Sequence, residues 1–260
     1  MGKDNFIKEF LFRQKKKLKA ALAKYQRKKQ RKLIPKQIIT SENCYQIPII
    51  LNNRNRLTFL KQMIEQLNSF GYKNLFVLDN DSSYQPLIEY YKIIPAKVIY
   101  LKKNMGYRAL WESKVFEQFK DEYYVYSDPD ILLQKDCPRD FVYILFRTLT
   151  KYPSKEKVGV ALKIDDLPDY YENKQEAIKN ESFYWQKELD TDVYDAPVDT
   201  TLALYKPLAF GSAEECEAIR VSGLLCAHHL TWYQDSSNLS DEEIYYKNTL
   251  EKFSSYYSSK

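Results

Sequence analysis

Two aspartates separated by one proline, Asp128-Pro129-Asp130, close the tyrosine-rich run YYVYS. In an extended chain residues i and i+2 project to the same side, so both carboxylates can face one cation. Pro129 fixes its own φ and removes an amide that a strand ladder would otherwise have to satisfy. Paired carboxylates at a strand tip suit Mg2+ or Mn2+, with a substrate phosphate completing the shell. Two other apolar runs also end in polar tips: YQIPIIL in Asn52-Asn53, and NLFVL in Asp79-Asn80-Asp81. The plain alternative for Asp79 and Asp81 is a solvated turn, because aspartate side chains readily bond their own backbone. A bare acidic pair is common, and the convergence of three polar strand tips is the stronger signal.

Those tips need a scaffold, and the hydrophobic periodicity supplies one. Short strand-type runs at 45–51, 74–78, 97–101 and 123–126 alternate with helical faces. Leu57, Leu60, Ile64 and Leu67 mark a helix ending at Gly71, a second helix runs through 87–91, and Trp111, Val115 and Phe119 mark a third. A helix near 138–151, a strand at 157–164, a helix near 173–187 and a strand at 199–205 continue the pattern. Alternation of this kind predicts an α/β domain with a mainly parallel twisted sheet and helices on both faces. Ligands of such sheets bind at the carboxyl ends of the strands, where the strand order reverses.

Charge is divided unevenly along the 260 residues. Residues 1–36 carry fourteen Lys/Arg against Asp4 and Glu9, a net of +12, so the rest carries −7 within an overall +5. The chain divides into a basic leader (1–36), a catalytic-size body (37–235) and a polar tail, helical in part (236–260). Ile7, Leu11, Leu18, Leu22 and Tyr25 recur at helical spacing among the basic residues, with Phe6, Phe10 and Phe12 beside them, and Pro35 ends the run. A basic amphipathic helix of this kind can lie in an anionic membrane surface. The alternatives are a solvated helical tail, or one packed on the body or on another subunit, and, least favoured, a nucleic-acid contact. No apolar run spans a bilayer, and no secretory signal is present, so a cytoplasmic location is expected, with peripheral attachment to the inner membrane face. Cys44, Cys137, Cys216 and Cys226 form no CxxC pair and read as free buried thiols.

The segments IPIILNNRNR, LFVLDNDSS, NMGYRALW and YVYSDPDIL, in that order, resemble nucleotide-sugar glycosyltransferases of the GT-A fold. The likeness is closest to the bacterial family 2-like group. KIDDLPDYY, YDAPVDTTLALYKP and AHHLTWY extend it over about residues 45–233, leaving the leader outside. The resemblance implies a Rossmann-like nucleotide-diphospho-sugar transferase that moves sugar from a UDP- or GDP-sugar to a glycan or lipid-linked acceptor in bacterial surface polysaccharide synthesis. Asp79 and Asp81 would then read base and ribose, with Asn53 bordering the same pocket. Gly106 and Arg108 would lie beneath the nucleotide, Gly106 allowing close backbone approach and Arg108 offering charge-assisted bonds to phosphate. For Arg108 a surface ion pair is the competing fate. Asp128 and Asp130 would hold Mn2+ or Mg2+, and His229 occupies the position of a late metal-completing histidine. His228 stands where the subgroup has arginine.

A direct inverting displacement also needs a carboxylate to take the acceptor proton. Asp199 is the first candidate and Asp166 the second, ahead of Asp165 and Asp195; capping or turn formation is the ordinary role for each. Inverting chemistry is favoured over retaining, and the signature of processive polymerases is missing. Trp185, Trp232 and nearby tyrosines are candidates for stacking on sugar faces, although core burial is the commoner fate of tryptophan. A sugar nucleotidyltransferase should carry a Gly-rich loop after the first strand, and LNNRNRLTFL at 51–60 has no glycine. A non-catalytic membrane- or nucleic-acid-binding scaffold built around the leader is the rival from another class.

Overall fold

Apolar strands and amphipathic helices assemble onto one sheet in a computed structural model that describes residues 3–212 and 216–250. In chain order the elements begin with α1 (Lys3–Arg31), β1 (Ile49–Asn53), α2 (Thr58–Phe70), β2 (Leu75–Asp79), α3 (Gln85–Tyr91), β3 (Lys97–Tyr100) and α4 (Ala109–Glu112). The middle of the chain supplies β4 (Tyr124–Ser127), β5 (Ile131–Leu133), α5 (Phe141–Lys151), β6 (Lys157–Val160) and α6 (Lys174–Phe183). It closes with β7 (Glu188–Asp190), β8 (Val193–Tyr194), β9 (Ala203–Tyr205), β10 (Ala218–Val221), β11 (Ala227–His229) and α7 (Asp241–Asn248).

Nine strands form the main sheet in the order β3-β2-β1-β4-β9-β6-β10-β8-β7. β3, β2, β1 and β4 are mutually parallel, and β6 and β10 keep that direction. β9 runs antiparallel between β4 and β6, and β8 antiparallel beside β10. The sheet is therefore mainly parallel, as the alternation predicts, and the antiparallel β9 falls in its centre. Side chains of β1 alternate between two cores. Ile49 and Leu51 pack in one with Leu60, Met63, Ile64 and Leu67 of α2 and Phe141 and Leu145 of α5. Ile50 packs in the other with Ala109, Leu110 and Trp111 of α4. Helices thus cover both faces, which explains why every residue of β1 is buried.

Several element boundaries differ from the sequence pattern. The expected helix through Trp111, Val115 and Phe119 is broken at Ser113, whose hydroxyl accepts from the Val115 amide at 3.3 Å and starts a 3-10 turn over Lys114–Gln118. The expected strand at 199–205 is ordered as strand only from Ala203; ahead of it Thr200 bonds Asp128, and the Leu202 carbonyl accepts the Val160 amide at 3.0 Å. Gly71 does close α2, with φ of 109° and its amide bonded to the Asn68 carbonyl. All four cysteines are free and buried.

The basic leader is helical from Lys3, and its last turns are tied to the body. Lys24 and Lys28 pair with Glu217 at 3.1 Å each, and Arg31 forks onto Glu156 with Nη1 at 2.9 Å. Arg27 lies over the Phe210 ring at 4.9 Å. The apolar stripe points elsewhere, with Leu18 73% exposed, Leu22 56% and Tyr25 68%. On the described part of α1, packing uses the charged face and leaves the apolar one outward. The side chains of Phe6, Ile7, Phe10, Leu11 and Phe12 lie outside the described set, as do residues 251–260 of the tail.

Candidate active site

Strand order reverses beside β1, whose neighbours are β2 on one side and β4 on the other. Register aligns Asn53 with Asp79 and Leu51 with Ser127, so the three polar tips end at one level. This is the switch point at which open α/β sheets bind ligands.

Asp128 follows β4 directly, while Pro129 and Asp130 turn the chain into β5. The pair is therefore carried on a turn, and its convergence comes from that turn and not from strand alternation. Thr200 holds Asp128 twice: its carbonyl accepts the Asp128 amide at 2.9 Å and its hydroxyl donates to the carboxylate. Burial and the neighbouring Asp130 charge push the Asp128 carboxyl well above its ordinary value, against the Thr200 hydrogen bond. Asp130 is held low. Burial opposes its charge, but the His229 ring and Arg56 outweigh that penalty.

His229 reaches Asp130 through a small ribbon. β11 pairs antiparallel with β5, placing His229 opposite Ile131, and the Leu230 amide donates to the Asp130 carbonyl at 2.8 Å. His229 Nε2 then lies 3.4 Å from Asp130 Oδ2. The ring is backed by Trp232, with centroids 4.8 Å apart and an edge-on angle of 84°. Trp232 is 1% exposed, so it supports the histidine from the core and offers no face to a sugar. His228 points to the other side of β11 and sits 3.2 Å from Asp166.

Among the described residues no group of three or more His, Cys, Asp or Glu is gathered as a protein-only metal cage. Mg2+ does not need one, because it binds through one or two carboxylates and substrate phosphates while keeping water. Asp130 Oδ1 is buried and has no hydrogen-bond partner among the described residues. An unsatisfied carboxylate oxygen beside a second carboxylate and an imidazole is a donor set that fits Mn2+ or Mg2+.

No family model and no curated protein sequence matches the chain. Among solved structures it superposes on glucosyl-3-phosphoglycerate synthase from Mycobacterium tuberculosis, determined with Mn2+ and uridine-diphosphate-glucose. That match has a TM-score of 0.44 and 13% identity, over 81% of this chain and 79% of that one. A cytidylyltransferase from Leptospira borgpetersenii superposes with a TM-score of 0.35 and 11% identity, over 62% of this chain and 60% of that one. Similarity at this level assigns neither a family nor a substrate, and the functional reading rests on the site itself.

The tips of β1 and β2 form the adjoining wall. Asp79 is buried at the end of β2, where the Tyr91 hydroxyl donates to it at 2.9 Å and the Ser82 amide at 3.3 Å. Asn53 donates to the same Tyr91 oxygen at 3.0 Å. Asp81 is exposed and left-handed, with φ of 66°, so the two aspartates of this tip have different surroundings. Asn52 and Asn80 both donate to the Gly106 carbonyl, at 3.3 and 2.9 Å, and Asn80 accepts the Met105 amide at 2.7 Å. Gly106, with φ of 67°, lets that loop lie against the strand tips. Arg108 is engaged at 2.6 Å by Glu112 one turn on, so the ion pair foreseen for it is present.

The base candidates separate clearly. Asp199 is exposed beside Thr200, close enough that its charge acts on the Asp128 carboxyl. Asp166 accepts from Tyr233 at 2.5 Å and faces His228; burial disfavours its charge, yet these contacts and Lys163 hold it below its ordinary value. Asp195 is bound by Lys155 and Lys187, which hold it low. Asp165 pairs with Lys163 at 2.6 Å.

Three contributors were not evident from the sequence pattern. Thr200 stands one residue beyond the chosen Asp199. Tyr91 reads as an ordinary apolar-face residue of α3. Arg56 lies within the LNNRNR run and is buried between Phe59, Tyr246 and Glu243 of α7, bonding the last at 3.1 and 3.2 Å. Ser240 caps the start of α7, its hydroxyl accepting the Glu243 amide at 3.3 Å, while the Glu243 carboxylate is given to Arg56.

Proposed function

We propose that this chain is a metal-dependent glycosyltransferase that moves sugar from a UDP- or GDP-sugar to a glycan or lipid-linked acceptor, by inverting displacement. The observation that carries the reading is the buried Asp130 Oδ1, without a hydrogen-bond partner among the described residues, at the strand-order switch with Asp128 and His229 beside it. Asp128, Asp130 and His229 would hold Mn2+ or Mg2+, which when bound offsets charge developing on the departing nucleoside diphosphate. Asp79, positioned by Tyr91 and Asn53, serves base and ribose, with Asp81 at the outer rim. The Gly106 loop supports the nucleotide from below, and Arg108 stands at its edge.

In the proposed reaction the acceptor hydroxyl oxygen attacks the anomeric carbon while that carbon's bond to the diphosphate oxygen breaks. The acceptor proton passes to the Asp199 carboxylate, and the electron pair leaves with the diphosphate. Asp166, tied to Tyr233 and His228, is the second candidate and better suited to shaping the acceptor side.

The leader adds a location. Leu18, Leu22 and Tyr25 form an outward stripe, and Lys15, Lys19, Lys29 and Lys32 are exposed on or near it. Apolar area framed by lysine suits an anionic lipid surface, which would hold the enzyme at the inner membrane face near a lipid-linked acceptor. No helix among the described residues is long and apolar enough to cross a membrane.

A panel of UDP- and GDP-sugars with Mn2+ or Mg2+ tests the reading by thermal shift and nucleoside diphosphate release. Metal-dependent stabilisation by at least one donor, lost in Asp130→Asn, is expected. Absence of any donor effect, or an unchanged Asp130→Asn, overturns it. A nucleotidyltransferase would instead release no nucleoside diphosphate and, once pyrophosphate is added, would convert the nucleotide sugar to nucleoside triphosphate and sugar 1-phosphate.

A further inference from the structure

A cavity of about 390 Å³ opens at the carboxyl ends of β6 and β10, lined among others by Gln134, Lys163, Asp165, Trp185, Asp192 and Gly223. Its volume is in the range of small-molecule sites. It is separate from the acidic pair but joined to it through the β5–β11 ribbon. Gln134 follows β5, placing it about 13 Å from Asp130 at about 3.3 Å per extended residue. On the cavity side the ribbon is tied down by the Gln134 amide bonded to the Cys226 carbonyl at 3.2 Å and the Lys163 amide bonded to the Ala227 carbonyl at 2.8 Å.

The walls are built. Asp192 occupies the turn between β7 and β8 with φ of 61°, and its carboxylate accepts the Ser222 hydroxyl at 2.9 Å. Its carbonyl accepts the Ser222 amide at 2.8 Å. Gln134 Nε2 donates to the Gly223 carbonyl at 2.6 Å. Gly223, with φ of 60°, leaves room for Asp192, since a Cβ there would lie 2.5 Å from Asp192 Oδ2. Trp185 packs its ring against Tyr194 at 5.5 Å, and its indole Nε1 is enclosed without a hydrogen-bond partner among the described residues.

The lining chemistry selects a ligand class. One lysine stands against two aspartates, and that lysine is already paired with Asp165 at 2.6 Å. Phosphate or carboxylate ligands would meet net negative charge. Carboxylates accept strong hydrogen bonds from hydroxyl donors, and an indole supplies a rigid apolar face with a polar edge. We propose that this cavity is a subsite for a neutral sugar ring of the acceptor, with Trp185 as its platform and Asp165 and Asp192 receiving its hydroxyls. The assignment to the acceptor rests on the glycosyltransferase reading, and the separation from Asp130 makes that acceptor an oligosaccharide and not a single ring.

The chain has three tryptophans, and Trp111 and Trp232 are buried, so Trp185 is the emission reporter at this surface. The test titrates the full chain, without donor or metal, with neutral mono- to trisaccharides of gluco, galacto and manno configuration. Sugar 6-phosphates serve as the anionic comparison, and both tryptophan emission and saturation-transfer NMR are read. At least one neutral oligosaccharide should bind saturably and shift the emission. Trp185→Ala and Asp192→Asn should each weaken it at least tenfold with unchanged thermal unfolding, whereas Asp130→Asn should bind as wild type. Should Asp192→Asn unfold early, Trp185→Ala alone decides. Failure of every neutral saccharide, wild-type binding by Trp185→Ala, or tighter binding of the sugar phosphates overturns the proposal. Because no donor is present, saccharide binding can survive even if the donor panel fails, in which case the cavity binds sugar but the transferase reading falls.

Discussion

His229 Nε2 lies 3.4 Å from Asp130 Oδ2, and the contact exists because β11 pairs with β5 immediately after the turn that carries Asp130. Nearly a hundred residues separate the two in sequence, so the pairing is a product of the ribbon. Asp130 Oδ2 faces the imidazole, while Oδ1 is buried and unpartnered among the described residues. His229→Ala should therefore weaken Mn2+ binding measurably, since it removes a nitrogen ligand that Mn2+ accepts. Asp130→Asn should abolish metal-dependent donor binding. Isothermal titration with Mn2+ in the presence of donor measures both, and equal affinity in His229→Ala would remove the histidine from the metal set.

Thr200 gives Asp128 two hydrogen bonds, and only one depends on the side chain. Thr200→Val keeps the volume and the backbone bond but removes the hydroxyl. A hydrogen bond to a charged group is worth about 1.5–3 kcal/mol, and here it orients the carboxylate. Donor affinity with metal should fall by about tenfold in Thr200→Val, while Thr200→Ser should stay near wild type. The pair of variants separates the hydroxyl from the methyl group.

Arg56 and Glu243 are 5% and 3% exposed at the side chain, and they join the loop after β1 to α7. Removing one partner of such a buried pair leaves the other charge uncompensated, at a cost of about 3 kcal/mol or more. Glu243→Gln should lower the unfolding free energy by about 3 kcal/mol in a denaturant titration. The double variant Arg56→Met/Glu243→Leu should recover most of that loss. It should not recover donor binding, because Arg56 also offsets charge on Asp128 and Asp130. Recovery of both would reduce Arg56 to a purely structural role.

The parallel half of the sheet was legible because each strand there is a short apolar run ending in a polar tip, with an amphipathic helix before the next. The expected α2 ended at Gly71 for a local reason, a left-handed cap that glycine adopts without strain. β5, β7, β8 and β11 are two or three residues long, too short for a period of two to register. That loss mattered, since β5 and β11 are what bring His229 to Asp130. That Asp128, Asp130 and Asp79 gather at one end of the sheet could be read from the strand-type runs they close. Thr200 and Arg56 could not be picked out, because hydrogen bonding across the sheet and burial under α7 leave no periodic trace.

In the leader helix, helical spacing placed Leu18, Leu22 and Tyr25 together, and all three are exposed, but spacing could not say which face meets the body. Arg31 and Glu156 are 19% and 7% exposed at their side chains. Burial disfavours the Glu156 charge, yet Arg31 and Lys28 hold its carboxyl below the ordinary value of 4.5. A carboxyl depressed in the folded state stabilises fully above that ordinary value, and the contribution is lost as pH falls through the depressed one. Deleting residues 1–36 strips Glu156 of Arg31 and should cost about 3 kcal/mol near neutral pH. Acidification below about pH 4.5 should then destabilise the full chain more than the deletion variant. Deleting only residues 2–20 leaves Lys24, Lys28 and Arg31 in place and should barely move the unfolding midpoint. It should still reduce recovery on phosphatidylserine vesicles, because Leu18 leaves with it, and Leu18→Gln/Leu22→Gln/Tyr25→Gln should abolish recovery with stability unchanged. Vesicle binding by that triple variant at wild-type strength would mean the outward stripe is not the lipid contact, leaving α1 as a strap held to the body by charge.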